Sequence, residues 1–123
     1  MLSLGPHQRY FLYTGIADMR KGFDGLSGLV SLAMAGDPLS GDVFLFVNRR
    51  RDRMKLLVWD RSGFVLWYKR LESGTFELPK TSLDEGSHVL SWQKLVLILE
   101  GVKLDSVVQR KRFSLPEKVE NVA

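Results

Sequence analysis

The sequence predicts an α+β domain: an antiparallel β-meander of four to five strands packed with two main helices. Three observations carry that prediction. Apolar residues recur at helical spacing over residues 18–34. Three apolar runs, 43–47, 54–59 and 64–71, then follow one another with only short polar breaks between them. A second apolar segment, 91–100, is bounded by Ser91 and Gly101, residues that start and stop helices.

In chain order, residues 9–13 (Arg9-Tyr10-Phe11-Leu12-Tyr13) form a short aromatic strand-like run ended by Thr14-Gly15. Asp18 reads as a helix N-cap, its carboxylate able to accept from the free amides of a first turn. Met19, Phe23, Leu26, Leu29, Val30, Ala33 and Met34 share one helix face, and Gly36-Asp37-Pro38 ends the helix. Gly22, Gly25 and Gly28 ride within it; their spacing is not that of a phosphate loop, so close backbone contact with another element is the expectation.

Val43–Val47 is apolar on both faces. An arginine-rich loop leads to Met54–Trp59, and the turn Asp60-Arg61-Ser62-Gly63 leads to Phe64–Leu71. Phe76-Glu77-Leu78, closed by Pro79, is a candidate edge strand. With Trp59 opposite Phe64, one face carries Leu57, Trp59, Phe64, Leu66 and Tyr68; the other carries Leu56, Val58, Val65 and Trp67. Both faces need cover, and the pattern leaves open whether the helices take one face each or share one. Residues 79–90 read as loop. Residues 1–108 make a single domain, with 109–123 a charged tail.

The 123 residues suffice for one core; 45% are hydrophobic and 26% charged, as in ordinary globular proteins. No cysteine is present, which excludes disulfides and thiolate metal sites. The two histidines, His7 and His88, are far apart, so imidazole chemistry has little to work with. No apolar run reaches the roughly 20 residues of a membrane span, and no secretion signal is visible, so the expected location is cytoplasmic. No cofactor or metal is expected. Asp18, Asp24, Asp60 and Glu72 have no spacing that would bring them together on a divalent ion, so no catalytic residues are assigned.

The net charge of +4 is unevenly spread. Arg49, Arg50, Arg51 and Arg53 crowd a predicted hairpin tip, where guanidinium groups can meet phosphate with paired hydrogen bonds. Lys55 and Arg61 are expected to extend this DNA-binding patch, and Arg110, Lys111 and Arg112 to add a second grip. Arg20, Lys21 and Asp24 form a polar face suited to a protein or DNA partner, beside the plainer reading of a solvated helix start. Trp67 falls on the face opposite Trp59 and is a candidate for docking or stacking, beside the plainer reading of core.

The segment Ala17-Asp18-Met19-Arg20-Lys21-Gly22-Phe23-Asp24-Gly25-Leu26 resembles the signature of the small Orf2-like accessory proteins of insertion sequence 66 elements. Further matches fall in order: Asp37-Pro38-Leu39-Ser40-Gly41 before Val43-Phe44-Leu45-Phe46, Asn48-Arg49-Arg50-Arg51-Asp52-Arg53 with Lys55, Trp59-Asp60 with Gly63, Lys69-Arg70-Leu71-Glu72 with Gly74-Thr75-Phe76, and Leu99-Glu100-Gly101. The similarity spans roughly residues 8–105, about one domain. It implies a role in transposition, with DNA and the transposase of the same element as partners. The alternative that it leaves open is an adaptor that docks on the transposase without touching DNA.

Overall fold

The computed structural model describes residues 4–101. Its elements run β1 (Tyr10–Tyr13), α1 (Phe23–Leu32), β2 (Val43–Val47), β3 (Arg53–Asp60), β4 (Gly63–Arg70), a 3₁₀ turn (Leu83–Glu85), β5 (Ser87–Leu90) and α2 (Trp92–Glu100). The strands form one sheet in the order β4-β3-β2-β1-β5. It is antiparallel except between β1 and β2, where the α1 crossover makes the pair parallel.

Central β2 is buried along its whole length, as its two-sided apolar sequence requires. Each face of the sheet is covered by one helix. On the α2 side, Tyr10, Leu12, Val43, Leu45, Met54, Leu56 and Val58 pack with Leu95 and Ile98. On the α1 side, Phe44, Phe46 and Leu57 pack with Leu26, Val30 and Met34. Side-chain alternation along the strands sorts these two sets, and each fully buried Leu or Phe contributes roughly 1.5–3 kcal/mol.

The β3–β4 register pairs Trp59 with Phe64, so the two faces of this hairpin fall as the sequence sorts them, and the two rings meet edge to face at 5.1 Å. Helix α2 also starts and stops where the sequence places it. Ser91 Oγ accepts from Lys94 N at 3.1 Å, and Gly101 ends the helix at φ 78°.

Four expectations need correction. Helix α1 begins at Phe23, not Asp18, and its N-cap Gly22 gives no side-chain bond. Asp18 instead closes a short turn, accepting from Arg20 N at 2.9 Å. The three glycines make no close contact with another element: Gly22 and Gly28 face open space, and Gly25 adjoins only the Lys21 side chain. Residues 76–78 are not a strand; Phe76 is instead a fully buried anchor of the α2-side core. The fifth strand, Ser87–Leu90, comes from the stretch read as loop, pairing antiparallel with β1.

Gly86 makes that last pairing possible. Its φ of 73° is left-handed, and its carbonyl accepts from Thr14 N at 3.1 Å. A side chain there would collide with the backbone carbonyl of Ala33, just past α1. Gly86→Ala is therefore expected to destabilise the protein by about 1–3 kcal/mol. Urea unfolding should show a lower midpoint with an unchanged slope.

Candidate nucleic-acid interface

The arginine loop joins β2 to β3 and is built around one side chain. Asn48 Oδ1 accepts from Asp52 N (3.1 Å) and Arg53 N (3.0 Å), while Asn48 Nδ2 donates to Asp52 Oδ1 at 2.7 Å. Backbone bonds from Arg51 N to Asn48 O (3.1 Å) and from Asn48 N to Arg53 O (3.2 Å) close the turn. From outside, Leu71 N and Phe76 N donate to the carbonyls of Asp52 and Arg51, both at 2.7 Å. The tip is thus fixed by hydrogen bonds through its main chain. Arg51 is held at φ 59°, a conformation costing a non-glycine residue about 1–2 kcal/mol.

The loop's own carboxylate, on Asp52, is engaged by the Asn48 amide and not by a guanidinium. Among the described residues the ion pairs are Arg9–Asp42, Arg20–Asp18 and Arg70–Glu72. None involves Arg49, Arg50, Arg51 or Arg53. Arg49, Arg50 and Arg51 are exposed, and Arg53 is half-buried with its Nη1 3.5 Å from the Tyr68 hydroxyl.

Lys55 departs most from expectation. It does not extend the patch: its residue is only 6% exposed, with Nζ turned inward to the carbonyls of Met19 (2.7 Å) and Lys21 (2.8 Å). The ammonium also lies 4.7 Å from the Tyr68 ring centre. Parity held the missed signal, since Lys55 shares the covered face with Leu57. The effect is to clamp residues 19–21, and with them Arg20 and Lys21, against the sheet near the arginine loop. Ala17 N adds a bond to Val47 O at 3.0 Å. Between the two segments lies an open depression of about 400 Å³, bordered by Asp18, Met19, Arg49, Arg50 and Arg53.

Arg61 does not join them either. It sits at φ 58° in the β3–β4 turn, at the far end of β3 (Arg53–Asp60), roughly 25 Å away at the usual strand rise. Arg70, not singled out in the sequence, does reach this end, because it pairs directly with Arg53. Arg20 is exposed and held by Asp18, whose carboxyl it keeps near a pKa of about 2. That depressed value means the pair's contribution is present above the ordinary carboxylate pKa and is lost as pH falls through about 2. Asp24 lies exposed in the first turn of α1, where its charge suits the helix dipole. Trp67 is 41% exposed beside Val65, on the α2 face of β4 and away from Arg53 and Arg70. Arg110, Lys111 and Arg112 lie outside the described residues.

A small α+β protein with a rigid, arginine-crowned sheet end is the class that this geometry defines. The family model described as IS66 Orf2 like protein matches residues 8–109, and the chain belongs to that family, one of transposition accessory proteins. Among its relatives, "Uncharacterized protein y4jC" of Sinorhizobium fredii is 36% identical over 118 residues, covering 94% of this chain and 98% of its own. "Uncharacterized protein y4hO" of the same species is 34% identical over 102 residues, 83% and 87% of the two chains. No solved structure matches. No helix among the described residues is long and apolar enough to cross a membrane.

The clamp can be tested directly. Lys55→Met keeps the volume but leaves the carbonyls of Met19 and Lys21 without their donor, which should cost about 1–3 kcal/mol. Amide hydrogen exchange should then quicken over residues 17–22 before it does in β2.

Proposed function

We propose that this protein assists transposition by gripping DNA of its element through the arginine-bearing end of the sheet, without catalysing a reaction itself. The observation that carries this reading is the loop Asn48–Arg53. Its backbone is fixed, its carboxylate is occupied by Asn48, and its guanidinium groups make no ion pair among the described residues. With the backbone already fixed, only side-chain freedom, and not loop freedom, is lost when phosphate arrives. Arg51 supports the reading too, because glycine at φ 59° would be less strained and would carry no charge. Lys21, brought alongside by Lys55, widens the positive surface, while Arg20 is already paired with Asp18. Phosphate contacts of this kind position a protein without reading sequence.

A second reading, an adaptor that docks on the transposase, draws support from the exposed Val65 and Trp67 on the opposite face. Co-purification with the transposase that survives nuclease treatment and a Trp67→Ala change in that binding would favour it.

Gel-shift affinity for duplex DNA should fall with salt, with a slope near −0.9 per phosphate contact. Replacing Arg49, Arg50, Arg51 and Arg53 with alanine should flatten that slope by up to about three or four units. An unchanged slope would take the loop out of the interface.

A further inference from the structure

On the α1 face of β4, Tyr68 stands beside two arginines. Arg53 and Arg70 are direct cross-strand partners, and Tyr68 opposes Lys55 two residues further along. Alternation puts all four side chains on one side of the sheet, with opposed residues about 4.5–5.5 Å apart. The Tyr68 residue is 48% exposed, and Arg53, Tyr68 and Arg70 together line an open depression of about 300 Å³. The Lys55 ammonium, 4.7 Å from the ring centre, engages one ring face at most. That contact, with Arg53 Nη1 near the hydroxyl at 3.5 Å, holds the ring in place.

We propose that Tyr68 stacks an unpaired nucleobase while Arg53 and Arg70 take the flanking phosphates, so that this end of the protein prefers single-stranded DNA. The proposal rests on the DNA-binding reading above and adds the strandedness of the ligand. A fixed aromatic ring beside cationic groups is how proteins hold single strands without reading sequence. Duplex DNA keeps its base faces stacked inside and offers the ring nothing comparable. Glu72 borders the site, its carboxylate 2.9 Å from Arg70 Nε. Both partners of that pair are well exposed, and such pairs contribute little, so a phosphate can displace the carboxylate. Trp67, the aromatic singled out from the sequence, points to the other face and cannot serve this site.

Fluorescence anisotropy on the full chain tests the proposal, using a mixed-sequence single-stranded oligodeoxynucleotide and a hairpin duplex of equal length. Tyr68→Ala should weaken single-strand binding by about ten-fold or more, in line with the loss of one stacked base. Tyr68→Phe should bind as the wild type does, and none of the variants should change duplex binding appreciably. Tyr68→Leu, which retains apolar cover over Lys55, separates lost stacking from lost folding and should behave as Tyr68→Ala. Single-strand binding by Tyr68→Leu at wild-type strength, or an equal loss on both ligands, would overturn the stacking site. If the wild type binds duplex with the arginine-dependent salt slope while ring removal changes nothing, DNA binding stands and the stacking proposal alone fails. If the wild type binds neither ligand, both fall.

Discussion

A central strand that is apolar on both faces cannot be left half covered, and the rest of this fold answers that constraint. Val43–Val47 is buried from end to end, so the chain must supply a layer on each side of the sheet. With only two helices of useful length among the described residues, each takes one face. Polar and charged groups are consequently driven to the ends of the strands and to the outer strand β4. The arginine loop sits at one such end, where β2 turns into β3.

The same end gathers groups that are distant in sequence. Residues 19–21 are drawn in because the Lys55 ammonium needs acceptors and finds backbone carbonyls there. Arg70 arrives because β4 is as long as β3 and pairs with it to its last residue. Phe76, buried in the α2-side core, ties its amide to the Arg51 carbonyl and braces the loop from beneath. A basic surface built in this way owes its position to packing, and its loop arginines make no ion pair among the described residues.

Much of the fold could be read from residue order because it depends on local chemistry. The Ser91 cap, the Gly101 stop and the tight Asp60–Gly63 turn each act within a few residues, and parity then set the faces of β3 and β4. What escaped depends on tertiary contact. Ser87–Leu90 has little strand character of its own and is ordered by pairing with β1. Asp18 looked like a helix cap because an Asx turn uses the same carboxylate-to-amide bond. Lys55 looked like a solvated charge, since nothing nearby in sequence announces two carbonyls from residues 19 and 21. Arg61 looked like a neighbour of the loop because it is close in residue number, whereas the eight residues of β3 carry it to the other end of the strand. Tyr68, and not Trp67, is the stacking candidate because alternation puts it on the side of β4 that Arg53 and Arg70 share.

Chemical-shift mapping by NMR, with an oligodeoxynucleotide titrated into the full chain, tests the central claim most directly. Perturbed amides should cluster at residues 48–53, at 18–21 and toward the end of β4, with the β3–β4 turn around Arg61 left unchanged. Perturbations centred on that turn or on the α2 face, with the Asn48–Arg53 loop silent, would contradict the account.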